Sequence, residues 1–595
     1  MNASDVSLRG KLSALFACIV PLCFLLSCNR VQHSPDEFTN MGEPVTGDVI
    51  FKHELSDPQG LNPYTTNDNS AKTLYTLIFD TMLEQNPITT EFEPLLCDTM
   101  PTVSDDHLRY VFRLKKNVRF SNGEPLTAAD VIFSFKAIKN PLIIDASPLR
   151  NYFEDLDDVR QIDLHTVEFI MRKPYFMAMI QIGGVAIMNK RAADPKGYSD
   201  GYTVAETNDT NAVAKNTAIK QFADWFGGAE VKREPQYLIG SGPYVFEKWV
   251  TGERIILKRN KQNWNAASPS RTAYADAIVS VIITDRTSAI SAMKTEDIDF
   301  FDNVPPMLYA EQVDTAKSNY IGKGKYEQSI YTYIGWNSRK PQFNDKRVRQ
   351  AMAHLVNRDY MIQALMRGFA QPINGPVYRN RPEYDTTFQG YAYNPDRAKQ
   401  LLAEAGWSDS NGDGVLDKTI GGQLVNMEFN MSFNAGNEIR ENIAILFSGE
   451  AKKIGVKCNV QKLEWSVFLK QNSTHAFDSY IGAWVNENIP SDPYQLWHSS
   501  QAEKEGSNYV GFRNARADEI MTQNRTEFDV AKRDELMREF QRIVQVEAPY
   551  TFLWTPESLA LYNKRLGNMK FYNVRPGWLM NTWFVPKRLQ HLNVQ

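Results

Sequence analysis

Apolar positions along this chain recur with two different periods, and stretches of the two kinds alternate from one end to the other. Asp48 to Glu54 has the pattern of a strand, followed by Leu61-Asn-Pro-Tyr64 as a loop. Between Ala71 and Leu83 the residues Leu74, Leu77, Ile78 and Met82 fall at helical spacing, which predicts a helix. His107 to Phe120 alternates again, placing Tyr110, Phe112 and Leu114 on one face before a turn at Asn122-Gly123. Thr127-Ala-Ala-Asp130 then opens a helix as a capping-box variant ahead of Val131-Ile-Phe133. Val159 to Met171 and Ser241 to Arg259 read as paired strands, whereas Asn189 to Pro235 is polar and irregular with few clear core positions.

The second half is more helical. Asp345 can cap a helix bearing Val348, Ala351, Met352 and Leu355, and a second helix runs from about Arg358 to Gly368. Asn394-Pro395 opens another, with Ala398, Leu401, Leu402 and Ala405 inside and Gly406 as its stop: cap, Pro at the first helical position and Gly after the end all agree. Glu438 to Ile454 is helical by period, Lys457 to Leu463 and Phe477 to Trp484 read as strands, Val530 to Gln545 is an amphipathic helix, and Tyr550 to Trp554 is a short apolar strand. Strands and helices interleave without an internal repeat, which predicts an α/β architecture of several lobes.

Composition narrows this picture. At 595 residues the chain has room for roughly three to five folding units, and 43% hydrophobic with 23% charged residues excludes wholesale disorder. A net charge of −4 argues against a broad nucleic-acid footprint.

The N-terminal segment carries Arg9 and Lys11 and then an apolar core from Leu12 to Leu26, the layout of a signal peptide. It ends in Leu25-Leu-Ser-Cys28, which resembles the lipobox of bacterial lipoproteins. The resemblance implies cleavage after residue 27 and acylation of Cys28, whose acyl chains would anchor the protein at about 0.8 kcal/mol per buried CH₂. Residues 28–46 form a polar tether. With Cys18 and Cys23 in the discarded segment, Cys97 and Cys458 are left, expected as two buried free thiols rather than a disulfide.

Catalytic patterns are missing. The eight His residues form no HExxH or other i,i+4 metal pair, and the chain has no GxSxG elbow, P-loop or GxGxxG. With 70 Asp and Glu the chain has carboxylates enough for glycoside cleavage, but no pair is singled out. No cofactor is expected. Asp409-Ser-Asn411-Gly-Asp413-Gly-Val-Leu-Asp417 matches a calcium loop at positions 1, 3, 5, 6 and 9, but position 12 is Ile420 where a bidentate Glu belongs. An Asx/Gly-rich surface turn is the preferred reading.

Four blocks resemble the large extracytoplasmic solute-binding proteins of ABC transporters, in the branch that takes oligopeptides and dipeptides. They are Phe112 to Phe135 (FRLKKNVRFSNGEPLTAADVIFSF), Gly240-Ser-Gly-Pro-Tyr-Val-Phe246 with Lys258-Arg-Asn-Lys-Gln-Asn-Trp264, Phe343 to Met352 (FNDKRVRQAM), and Asn394 to Trp407 (NPDRAKQLLAEAGW). They follow the family's order and span most of the chain after residue 48. The resemblance implies a two-lobed periplasmic binding protein fold of the large class, with an extra subdomain in the first lobe and a two-strand hinge. Lobe I would comprise residues 47–75, 237–326 and 554–595, the extra subdomain 76–236, and lobe II 327–553. It further implies a monomeric peptide receptor, anchored through its lipid and facing the periplasm or cell exterior, that serves ABC permease subunits.

In oligopeptide-binding members a lobe II strand presents Trp, two residues and an Asp that meets the peptide α-ammonium. Here Trp484-Val-Asn-Glu487 stands in that pattern, with Glu for Asp, and Trp465 has the spacing of a second site Trp. Asn69 corresponds by count to a ligand-contacting loop position. A carboxylate in a closing cleft suits a buried cation, and aromatic faces make sequence-tolerant walls. The run Asn488 to Pro493 is two residues longer than that family's usual spacing, so an oligosaccharide, nickel complex or haem is the alternative ligand within the fold. Outside it stand an envelope glycan-cleaving enzyme and a sensory co-receptor or chaperone.

Overall fold

A computed structural model of the chain describes residues 34, 37–66, 68–486, 488–503 and 506–591. Cys28 and Glu487 lie outside the described residues.

The frame is one sheet. Among the described residues it has twelve strands: β1 (Val49–Glu54), β2 (Tyr244–Val250), β3 (Arg254–Arg259), β4 (Ala277–Ile282), β5 (Phe300–Phe301), β6 (Ile321–Glu327), β7 (Ile330–Trp336), β8 (Ala370–Pro372), β9 (Glu428–Asn434), β10 (Lys457–Leu463), β11 (Ser479–Val485) and β12 (Tyr550–Asn563). The order across it is β10-β9-β11-β7-β12-β5-β1-β4-β3-β2, with β6 and β8 also paired to β12. β1 runs parallel to β4, and β9 runs parallel to β10 and β11.

β12 explains how one sheet serves two lobes. Its first half, from Tyr550 to Trp554, pairs with β7, and its second half, from Glu557 to Asn563, pairs with β6. β6 and β7 are consecutive, joined by Gln328-Ser329. Two chain segments therefore pass side by side from one lobe to the other, the geometry of a hinge that bends with little cost to either core. The sequence pattern predicts only Tyr550 to Trp554 as a strand; the continuation is held by pairing with β8 at Trp554 to Pro556 and with β6 from Glu557 to Asn563, a long-range effect that local apolar content does not signal.

On one side of the hinge a large core gathers residues from both ends of the chain, among them Ile50, Phe112, Phe135, Phe169 and Trp583. On the other, Trp336, Phe343, Phe429 and Phe447 pack with the helices Lys346–His354, Pro395–Glu404 and Glu438–Lys452. A four-stranded antiparallel sheet that includes Arg109–Arg113, Leu156–Asp163 and Thr166–Met171 stands apart from the central sheet.

Local signals are realised where they are complete. Asn394 accepts from Arg397 N at 2.9 Å, Pro395 opens the helix, and Gly406 takes φ +84° beyond its end; a cap of this kind contributes about 1 kcal/mol. Asp130 accepts from Thr127 N at 2.9 Å, closing the capping box. Three readings change. The helix expected from Ala71 to Leu83 is Asn69–Ile78, because Phe79 turns extended. The strand expected over His107 to Phe120 is confined to Arg109–Arg113. The polar stretch 189–235 holds a helix, Thr217–Phe226, that buries Ile219, Phe222, Ala223 and Phe226 on one face.

Cys97 and Cys458 are buried free thiols, as expected, and burial pushes both up to about 12. In the loop 409–417 the Asp409 carboxylate accepts from the amides of Gly412, Asp413 and Gly414, and Asn411 and Asp413 accept from amides two residues on. These are the bonds of Asx turns. Among the described residues no group of three or more His, Cys, Asp or Glu is placed to hold a metal ion.

Candidate functional site

The Gly240-Ser-Gly242 motif sets one wall of the site. A Cβ on Gly240 would lie 1.9 Å from Ile78 O, so only glycine lets this turn lie against the end of helix Asn69–Ile78. Gly242 N then donates to Ile78 O at 2.8 Å, and Ser241 Oγ donates to Asp80 Oδ2 at 3.0 Å. The helix held in this way turns Tyr75 and Thr76 toward a cavity of about 990 Å³ between the lobes. Across from them stand Ser329, Tyr331 and Tyr378, with Asn486 and Trp497, and the C-terminal segment closes one side with Arg575 and Trp578. Such a volume is at the upper end for small-ligand sites.

The lobes are closed over this space. Tyr175 Oη donates to Asp492 Oδ2 at 2.8 Å, and the same carboxylate oxygen accepts from Arg525 Nε at 2.9 Å. Phe176 N donates to Arg525 O at 2.9 Å, and the His107 and Phe528 rings stack with centroids 3.6 Å apart. Nearer the hinge, Gln85 Nε2 donates to Asn488 O at 2.8 Å and Gln328 Nε2 to Pro576 O at 3.1 Å. Burial, and then the neighbouring Asp492 charge, holds the Tyr175 phenol well above its ordinary range, so it remains a donor. At the cavity margin Trp578 donates to Asp302 Oδ2 at 3.4 Å, and burial raises the Asp302 carboxyl. Lys52 pairs with Glu54, whose carboxyl burial also raises.

Of the residues singled out from the sequence, Trp484, Trp465 and Asn69 are described, and they lie on separate elements. Trp484, on β11, is half-buried beside the cavity wall, its indole 5.9 Å from the Tyr509 ring and its Nε1 3.3 Å from Tyr550 Oη. Its neighbours Val485 and Asn486, rather than Trp484 itself, line the space. Trp465 begins the helix Trp465–Ser473, is 49% exposed and stacks on Phe468. Asn69 begins the helix of the opposite wall, and its side chain accepts from Arg575, which does line the cavity. Sequence reasoning assigned no role to Tyr175, Tyr331, Asp492 or Arg575. The run Ser329-Ile-Tyr-Thr-Tyr333 alternates visibly, but nothing local tells which of its faces meets a cavity.

Two α/β lobes strung on one sheet and closed over a central cavity define the two-lobed class of extracytoplasmic binding proteins. The chain belongs to the bacterial extracellular solute-binding proteins, family 5, whose sequence profile matches residues 91–506. It is therefore a binding protein and not an enzyme. It is 28% identical over 591 residues to the oligopeptide-binding protein AppA of Bacillus subtilis, covering 97% of this chain and 99% of the relative. The structure of AppA in complex with a nonapeptide matches with a TM-score of 0.74 at 26% identity, covering 92% of this chain and all of that one. NikZ of Campylobacter jejuni in complex with Ni(L-His) matches equally in fold, with a TM-score of 0.74 at 22% identity over 90% of this chain and 99% of that one. Haem-binding protein A of Haemophilus influenzae is 24% identical over 497 residues, 80% of each chain. Among the described residues no helix is long and apolar enough to cross a membrane.

Proposed function

We propose that this chain is a lipid-anchored receptor that captures peptides between its lobes and delivers them to an ABC importer. The observation that carries the reading is the closed cavity. Its walls combine tyrosine faces with a few fixed polar groups, and the closing contacts come from both lobes. Aromatic walls accept varied side chains, while polar groups at the hinge and rim fix a main chain. Closure on a ligand couples occupancy to a rigid-body motion that a permease can read. The similarity to a nonapeptide-binding relative over nearly the whole of both chains supports peptides over the other solutes of the family. Cys28 supplies the anchor in this reading, and Glu487 meets the peptide α-ammonium.

Mass spectrometry of small molecules released by denaturing the purified protein tests it. A ladder of peptides is the expected cargo, and its lengths separate dipeptides from oligopeptides. A sugar, haem or a nickel chelate as sole cargo would overturn the peptide reading.

A further inference from the structure

We infer that residues 37–47 are strapped to the first lobe by the C-terminal segment, so that the face around Arg588 is the one turned to the lipid bilayer and the second lobe is the one that swings. The inference deepens the anchored-receptor reading above and rests on it for the lipid at Cys28.

Residues 28–46 are expected as a polar tether, yet from Glu37 onward the chain is held to the protein body, because Arg588 and Gln590 supply donors for its carbonyls. Arg588 Nη2 donates to Glu37 O at 2.8 Å and to Asn40 O at 2.6 Å, bracketing the turn at 37–39. Inside that turn Phe38 packs against the first-lobe core that includes Val585 and Leu589. Gln590 Nε2 bridges Thr46 O at 3.2 Å and Val585 O at 2.9 Å. Gly47 N donates to Tyr274 O at 2.9 Å, and a Cβ on Gly47, which has φ +129°, would lie 2.6 Å from Gln590 Oε1. One residue on, Asp48 Oδ2 accepts from His591 N at 3.2 Å.

All of these partners lie on the first-lobe side of the hinge. Main-chain carbonyls outside regular structure need donors from elsewhere, and a guanidinium that serves two of them fixes the path of the backbone. An apolar ring in the core fixes its depth.

Length then sets the orientation. Glu37 N donates to Ser34 O at 3.2 Å, and Ser34 follows Cys28 by six positions, at most about 20 Å of extended chain. A tether free all the way from Cys28 to Gly47 would reach about 65 Å, enough for the whole receptor to turn over. With residues 37–47 strapped, the acylated Cys28 keeps one face of the first lobe close to the headgroups. The hinge lies beyond that lobe, so closure on a ligand moves the second lobe against a first one held at the membrane.

The test has two arms. On the unlipidated Cys28→Ala protein, chymotrypsin cleavage after Phe38 is timed by mass spectrometry, alone and combined with Arg588→Ala or with Gln590→Ala. Arg588→Ala should be cut about tenfold faster and Gln590→Ala less so, with peptide affinity unchanged in both. Equal rates in all three proteins overturn the strap. On the acylated protein in vesicles with a fluorescent headgroup, energy transfer is read from dyes at Lys587→Cys on the first lobe and Lys399→Cys on the second, both exposed positions, while Cys97 and Cys458 are buried. Transfer should be stronger at 587 than at 399 and should weaken there with Arg588→Ala. Equal transfer at the two positions, or transfer indifferent to Arg588→Ala, overturns the orientation. Protein that does not stay on the vesicles overturns the lipid reading and the orientation with it, while the chymotrypsin arm still decides the strap.

Discussion

The Tyr175 hydroxyl donates to Asp492 Oδ2 at 2.8 Å, joining residues 317 positions apart across the mouth of the cavity. Asp492 is also held within its own lobe by Arg525, whose guanidinium lies 4.1 Å from the Tyr494 ring. The carboxylate is thus fixed by a partner in its own lobe, and the phenol is the group supplied from across the cavity.

Tyr175→Phe removes that arrival and leaves the Asp492–Arg525 pair in place. A hydrogen bond of this kind contributes about 0.5–1.5 kcal/mol, more when the acceptor is charged. The dissociation rate of a bound peptide should rise about three- to tenfold, with the association rate little changed. Stopped-flow release of a fluorescent peptide measures it. An unchanged release rate would mean that the closed state does not depend on this contact.

The C-terminal segment is tied back to the first lobe by Arg565. Its Nη1 lies 2.6 Å from Asp48 Oδ2, its Nε and Nη2 bind Asp299 at 2.6 and 2.8 Å, and Nη2 also donates to Val49 O. Arg565→Ala strands two buried carboxylates and should destabilise the fold by about 3–5 kcal/mol. Arg565→Lys should recover only part of this, since one ammonium cannot reproduce the planar fork. Urea denaturation of the three proteins orders them.

Much of this fold is legible in the sequence because its signals are local. The cap, proline and glycine around Pro395–Glu404 are adjacent in the chain, and so are Thr127 and Asp130. The helix Thr217–Phe226 was hidden by polar neighbours: Lys220, Gln221 and Asp224 occupy its outer face while Ile219, Phe222 and Phe226 carry the core spacing. The cavity is harder still to read. Tyr175, Tyr331, Asp492 and Arg575 converge through sheet pairing and lobe closure, and no period in the sequence encodes either. Trp484 and Trp465 are singled out by the spacing of the family pattern, yet Trp465 is 49% exposed on a helix, and tyrosines such as Tyr75, Tyr175, Tyr331 and Tyr378 line the cavity instead.

His53 makes stability depend on pH. It is buried in β1, its Nε2 lies 2.9 Å from Ile283 O, and burial lowers its pKa from 6.5 to about 4. The unfolded chain therefore takes up a proton below pH 6.5 that the folded chain refuses until about pH 4. Stability from this residue is fully present above pH 6.5 and is lost as pH falls across that window, by about 2 kcal/mol at pH 5. Unfolding free energy at pH 7.5 and 5.0 should fall less in His53→Gln than in the wild type by about that amount. Equal losses would show that His53 is not the group responsible.

The proposed anchor is tested at Cys28. Without that thiol no acyl chain can be attached, so Cys28→Ala should move the protein from the membrane fraction to the soluble envelope fraction. Fractionation with immunoblotting reads this, and undiminished membrane retention would sink the lipid anchor.

Glu487 stands in sequence between Asn486, which lines the cavity, and Asn488, whose carbonyl accepts from Gln85 of the opposite lobe. A carboxylate at that point of the chain is the proposed partner of the peptide α-ammonium. Glu487→Gln keeps the shape and removes the charge, and should weaken binding by about 1.5–3 kcal/mol, roughly ten- to 150-fold. An N-acetylated peptide should lose a similar amount against the wild type and little more against the variant, because both changes delete the same pair. If the two losses instead add, the carboxylate and the ammonium act independently, and the peptide N-terminus is held elsewhere.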